Sequence, residues 1–226
     1  MNRKRAYFVT GTDTGVGKTL VASALVHRFA QYGMRSVGMK PIAAGCSVKN
    51  GRLLSEDVEQ LLAASNVDAP LELVNPYALV PAIAPHIAAQ QTGVALDLSI
   101  MVAAYQRLAD MAEAVVVEGV GGFRVPLDDS LDTADLAQAL ALPIVMVVGM
   151  RLGCLSHALL TAESIERCGL HLAGWVANRI DAEMPVYEEN LQTLHQWLDA
   201  PCLGILPWLG PNADAADAAT HLQLPV

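Results

Sequence analysis

Short apolar runs alternate along this chain with longer stretches whose apolar positions recur at helical spacing. That alternation predicts βαβ units around a mainly parallel sheet. Strands are expected over residues 6–10, 36–39, 114–117, 144–148, 172–177 and 202–205. Several are apolar at consecutive positions, the pattern of strands covered by helices on both faces. Helices are expected over 18–32, 56–64, 98–112, 133–139, 156–167 and 186–198. Ser55 before Glu56 and Asp57 reads as an N-cap with an acidic first turn, and Gly169 after Cys168 as a helix stop. Between residues 70 and 93, Pro70, Pro76, Pro81 and Pro85 interrupt any period, so a long excursion over the mouth of the sheet is expected there. No repeat, low-complexity stretch or linker divides the sequence, which is read as one domain over 1–226.

The first strand runs into Gly11-Thr12-Asp13-Thr14-Gly15-Val16-Gly17-Lys18-Thr19, and a helical stretch follows at once. A strand that turns through glycines into a helix leaves backbone N–H groups converging on one point, where the helix N-terminus adds positive potential. Such a loop binds phosphate. The common spacing is G-x-x-x-x-G-K-[ST], whereas here five residues separate Gly11 from Gly17, and Thr12 holds the place of the first glycine. Gly15 and Gly17 still supply backbone freedom, Lys18 reaches terminal phosphates, and the Thr19 hydroxyl is a magnesium ligand. An ordinary strand-to-helix turn needs neither the lysine nor the threonine.

Composition narrows the class. With 226 residues, 53% hydrophobic and 16% charged, the chain has enough apolar material for a large core, and its apolar runs are of strand length, too short to span a bilayer. A net charge of −9 argues against nucleic acid as the main partner. Arg3, Lys4 and Arg5 resemble the basic start of a signal peptide, but the apolar stretch behind them ends at Gly11, so no export signal is expected. Cys46, Cys154, Cys168 and Cys202 are scattered and form no C-x-x-C pair, as expected of reduced thiols in a cytoplasmic protein.

In open α/β sheets, ligands sit at the carboxyl ends of the strands. Lys40 stands just beyond the second strand, where a second ammonium near Lys18 would neutralise charge on a transferring phosphoryl group. Glu118 closes the third strand ahead of Gly119, Val120, Gly121 and Gly122, and is the acidic partner expected for Thr19 around magnesium. Asp57 opens a helix, and spacing leaves two readings: a magnesium ligand, or stabilisation of the helix dipole. Gly153, Cys154, Leu155 and Ser156 lead into a helix and offer either an anion site or simple capping. Asn178, after the fifth strand, offers donors and an acceptor to a base, or is a turn residue. His86 has no metal-ligand spacing to another His or Cys and is read as structural.

Taken in order, the phosphate loop, Lys40-Pro41 with Gly45, Asp57, Asn75-Pro76-Tyr77, Pro85-His86-Ile87, Glu118-Gly119 with Gly121-Gly122, Leu152-Gly153-Cys154, Gly174-Trp175-Val176-Ala177-Asn178 and Pro207-Trp208 resemble the dethiobiotin synthetase family over nearly the whole chain. The resemblance implies a P-loop fold and MgATP-dependent closure of the ureido ring of dethiobiotin from 7,8-diaminopelargonic acid and CO2, through a carbamate and a carbamic-phosphoric anhydride. It implies Lys40 as the catalytic lysine beside Lys18, and Thr19, Asp57 and Glu118 as the magnesium set. It also implies nucleotide contacts from Gly15, Val16, Gly17, Lys18, Thr19, Leu20, Asp57, Glu118, Gly119, Val120, Gly121, Asn178, Arg179, Leu206, Pro207 and Trp208. Substrate contacts are implied for Thr14, Lys40, Ala44, Gly153, Cys154, Leu155 and Ser156. The last four belong to a helix start that serves the partner subunit of a homodimer.

This chain departs from some members at Ala44, where a serine touches substrate, at Ile83 and Ala84, where hydroxyl residues precede Pro-His, and at Gly15, which is acidic in some relatives. Two other readings remain at this level. A P-loop positioning ATPase shares the sheet, but usually has an extra lysine early in the loop, where this chain has Thr12 and Asp13. An ATP-dependent synthetase or kinase could act on another small molecule.

Overall fold

The computed structural model describes residues 4–210 and 212–225; Arg3 of the basic start lies outside them. In chain order the elements are β1 (Arg5–Gly11), α1 (Lys18–Gln31), β2 (Ser36–Met39), β3 (Ile42–Ala44), β4 (Ser47–Lys49), β5 (Arg52–Leu54), α2 (Glu56–Ala64), α3 (Leu71–Val74), β6 (Tyr77–Leu79), α4 (Pro85–Thr92), α5 (Leu98–Met111), β7 (Ala114–Glu118), α6 (Thr133–Leu140), β8 (Ile144–Met150), α7 (Cys154–Arg167), β9 (Leu172–Arg179), α8 (Tyr187–Trp197), β10 (Cys202–Leu206) and α9 (Ala215–Ala219). Six strands form one sheet in the order β10-β9-β8-β1-β7-β2, and every pairing in it is parallel. β1 lies between β7 and β8, with Val9 opposite Glu118 on one side and Thr10 opposite Met146 on the other. The chain therefore reverses its winding direction at β1, and the loop after it opens at the switch point where open sheets bind ligands.

The consecutive apolar residues of the strands have a direct use. Along β8, Ile144, Met146 and Val148 enter one core with α5, α6, α7 and α8, while Val145 and Val147 enter a second core with α1 and α9. Both faces are dry, so alternation never shows in the sequence. Among the described residues, no helix is long and apolar enough to cross a membrane.

The stretch from 70 to 93 does reach the mouth of the sheet, where residues 82–85 border the phosphate loop's cleft, but it is more regular than expected. It holds α3, β6 and α4, and β6 pairs in parallel with β3 in a small second sheet. Two of the prolines act as starts rather than breaks: Pro70 precedes α3, and Pro85 occupies the first turn of α4, which ends at Gly93 in the left-handed conformation. A hairpin of β4 and β5, turning through Asn50 and Gly51 at positive φ, and the small helix α9 are also additions. Only β2 and α2 keep their expected bounds; the other expected elements shift by a residue or two at an end, β8 running on to Met150. α7 starts at Cys154, two residues before the expected Ser156, α8 starts at Tyr187, and β9 runs on through Asn178 and Arg179. Asn178 is therefore a strand residue opposite Gly149 and Leu206, and the turn reading does not hold.

Candidate active site

At the end of β1 the loop is pinned before any ligand arrives. The Thr12 N–H donates to the Val147 carbonyl of β8 (3.0 Å), and the Asp13 carboxylate takes the Thr14 N–H (2.7 Å) and the guanidinium of Arg151. Gly15 (φ 74°) and Gly17 (φ 89°) both occupy left-handed backbone. At Gly17 a Cβ would also lie 2.1 Å from the Asn178 amide nitrogen. Asn178 donates from that nitrogen to the Val16 carbonyl (2.9 Å), tying β9 to the loop. The Val16 side chain is buried against Gly149, so this residue offers only its backbone to a phosphate.

Four charged groups converge beside the loop. Lys40 follows β2 and is 2% exposed; its backbone is held by Val74 and Asn75 (2.8 and 2.7 Å). Its ammonium donates to Glu118 Oε1 (2.6 Å) and the Gly119 carbonyl (3.0 Å), and pairs with Asp57 Oδ2 (2.9 Å). Glu118 sits at the buried end of β7 and also accepts from Thr19 Oγ1 at Oε1 (2.7 Å). Asp57 reaches the cluster from the first turn of α2, whose N-cap Ser55 accepts from the Val58 N–H. Lys18 donates to the Asp13 carbonyl (2.9 Å), not to either carboxylate.

Burial, helped by the Lys40 charge, lowers Lys18 to about 8 against the pull of Glu118, Asp57 and Asp13. For Lys40, burial acts downward but Glu118 and Asp57 outweigh it, holding the ammonium above its ordinary value. Burial acts upward on Asp57, yet the charge and hydrogen bond of Lys40 bring it below the usual carboxylate range. Glu118 is pushed up by burial and by Asp57, against Lys40. Lys40 thus bridges the two carboxylates, while Lys18 stands near them without joining the bridge.

These groups line a cleft of about 680 Å³ with Thr14, Gly15, Gly17, Thr19, Ala44, Val120 and Gly121. Its far wall is Ala82, Ile83, Ala84 and Pro85, leading into α4, with Val125 beside Gly121. Ile83 and Ala84 of this wall are the positions where the sequence departs from some relatives, whereas the Asp13–Arg151 pair is not legible from sequence as a site feature. Arg151 follows directly on β8 at the loop's edge of the sheet, and that position was the available signal.

The remaining candidates lie elsewhere. Asn178 near the end of β9 and Leu206 at the end of β10 face each other on the other side of the loop from Lys40, but the Leu206 side chain is fully buried, leaving only its backbone at that edge. Trp208, two residues on, is half exposed. Arg179 turns away, stacking over the Tyr187 ring and donating to the Ala182 carbonyl. Leu20 packs on the α1 core. Gly153 opens α7 at φ 94° with no side-chain cap, outside the cleft, and Cys154 is buried. His86 lies in the first turn of α4 with a buried, unpartnered Nδ1.

The donor set suits a small, hard cation. No group of three His, Cys, Asp or Glu side chains is placed to hold a metal among the described residues, but Thr19, Asp57 and Glu118 offer oxygen alone beside a phosphate loop. Glu118 Oε2 is buried without any hydrogen-bond partner, an acceptor awaiting a positive group.

A family profile described as AAA domain matches residues 5–215. The chain is 54% identical over 224 residues to the ATP-dependent dethiobiotin synthetase of Nitrosospira multiformis, covering 99% of this chain and 97% of that protein. It is 53% identical over 225 residues to the protein of the same name from Aromatoleum aromaticum, covering both in full. Among solved structures it resembles the septum site-determining protein MinD of Pyrococcus horikoshii, with a TM-score of 0.57 at 17% identity over 90% of this chain and 81% of that one. This last likeness is one of fold alone.

Proposed function

Because this chain belongs to the ATP-dependent dethiobiotin synthetase family, ligases of biotin biosynthesis, we propose that its cleft closes the ureido ring of dethiobiotin on 7,8-diaminopelargonic acid. One amine of the diamine takes up CO2, losing a proton and becoming a carbamate. A carbamate oxygen attacks the γ-phosphorus of ATP, ADP departs, and a carbamic-phosphoric anhydride forms. The second amine attacks the carbonyl carbon, loses its proton and expels phosphate.

The difficulty in this chemistry is that anion meets anion. Carbamate and triphosphate repel one another, so the site must supply positive charge where they come together and hold them in line. The observation that carries the reading is the buried Lys40 ammonium beside the phosphate loop, where it shares the Glu118 Oε1 acceptor with Thr19, with Lys18 at the loop itself. Lys18 and the loop N–H groups hold the terminal phosphates, while Lys40 faces the reacting oxygens. Thr19, Asp57 and Glu118 hold magnesium, which when bound adds positive charge against the phosphates.

Apolar Ala44, Ile83, Ala84 and Val125 pack along the alkyl chain of the diamine, with Thr14 on the same lining. Asn178 and the half-exposed Trp208 meet the base. Gly153, Cys154, Leu155 and Ser156 lie outside this cleft, as expected if they bind the carboxylate of a substrate held by the partner subunit of a homodimer.

Incubation with MgATP, the diamine and ¹³C-bicarbonate tests the reading. It predicts dethiobiotin with a single ¹³C in the ureido carbonyl and one phosphate released per ring. Unlabelled product, or phosphate without ring, would overturn it.

A further inference from the structure

We propose that Lys40 is a built-in counter-ion that holds Asp57 and Glu118 in the place of a divalent cation, and that metal enters this pair only as bound nucleotide draws the ammonium away. The inference rests on Lys40 being the group that faces the reacting oxygens, and it adds an order to the binding steps.

An ammonium group has three N–H bonds to give. In this structure Lys40 has three partners: Glu118 Oε1 (2.6 Å), Asp57 Oδ2 (2.9 Å) and the Gly119 carbonyl (3.0 Å). None is left for a phosphate or a carbamate, so Lys40 cannot touch the reactants until it releases one partner. Two of the three are carboxylates of the candidate magnesium set. The same two carboxylates cannot be fully neutralised by the ammonium and by a dication at once. Whatever loosens Lys40 strengthens the cation site, and the reverse holds by linkage.

Accessibility gives the exchange a direction. The Lys40 and Glu118 side chains are 3% and 1% exposed, whereas Asp57 is 42% exposed. A cation arriving from solvent meets Asp57 first and finds Glu118 behind the ammonium. Incoming phosphates bring negative charge to the loop beside Lys40, where Thr19 shares the Glu118 Oε1 acceptor, and compete with the carboxylates for the ammonium. Lys18 takes no part in this bridge, since its ammonium is donated to the Asp13 carbonyl.

The test is Mn²⁺ titration without nucleotide, read by the loss of the free-ion electron paramagnetic resonance signal, on the full-length wild type, Lys40→Met and Lys18→Met. Removing the ammonium leaves the buried Glu118 carboxylate and the partly exposed Asp57 carboxylate unmatched, so Lys40→Met is expected to bind Mn²⁺ at least about tenfold tighter than wild type, and to gain thermal stability from MgCl2 where wild type gains none. Lys18→Met is expected to change affinity far less. Equal Mn²⁺ affinity in wild type and Lys40→Met, or an equal gain in both variants, would overturn the proposal. If Lys40→Met is insoluble in metal-free buffer, refolding with MgCl2 but not with choline chloride at the same ionic strength supports it, and failure in both overturns it. Each readout is a binding or folding measurement, so the result stands apart from whether the wild type makes dethiobiotin.

Discussion

Lys18 and Lys40 are chemically alike, yet their surroundings drive them in opposite directions. Lys18 is buried near another cation and falls to about 8, while Lys40 is buried between two carboxylates and stays charged. The form of Lys18 that binds phosphate is the protonated one. In the nucleotide-free protein that form is complete below about pH 8 and is lost above it, so kcat/KM for ATP should hold level up to that pH and then fall about tenfold per pH unit. A pH–rate series gives the answer, and a level profile to about pH 10 contradicts the assignment. Lys40→Ala separates binding from chemistry. Nucleotide affinity by titration calorimetry should stay within a few-fold of wild type while kcat drops by about 10²–10³, the scale of losing one preorganised positive donor. If affinity collapses and turnover survives, Lys40 serves the nucleotide instead.

The elements bring these residues together through close backbone approaches. Gly38 in β2 lies under α2, where an added Cβ would come within 2.7 Å of Leu61 Cδ2 and 2.9 Å of Leu61 Cβ. Gly38→Ala must push α2 outward, and Asp57 stands one helical turn before Leu61. A loss of about 1–3 kcal/mol in a denaturant melt is expected, with ring closure reduced more than nucleotide affinity. An unchanged midpoint would show that α2 adapts without cost. What the sequence made legible at this scale was the main sheet, because strands dry on both faces leave unbroken apolar runs such as 144–148. The lesser pieces had weaker or overlooked signals. Asn50-Gly51 between Lys49 and Arg52 is the pairing a two-residue hairpin turn requires, since both residues sit at positive φ. β3 and β6 are only three residues each and are fixed by mutual pairing, which no local pattern records. In the site, Lys40 and Glu118 were readable as strand ends. The approach of Asp57 to Lys40 was not, because it depends on how α2 packs on β2.

Across the whole molecule, the phosphate loop sits at the switch point of the sheet, but the start of α7 lies outside its cleft. Just before that start, Leu152 is 92% exposed, and Leu160 on α7 is 62% exposed. In the homodimer reading these apolar side chains are covered by a second copy. Leu152→Asp with Leu160→Asp should then shift sedimentation toward the single-chain mass and raise KM for the diamine more than for ATP. An unaltered sedimentation profile would place the interface elsewhere. The central claim is that this cleft spends ATP only on a bound diamine carbamate. Its most direct test is ADP release by the purified protein with MgATP and bicarbonate, in the presence and absence of 7,8-diaminopelargonic acid. The account predicts sustained ADP release only with the diamine, matched mole for mole by dethiobiotin; equal release without it would contradict the account.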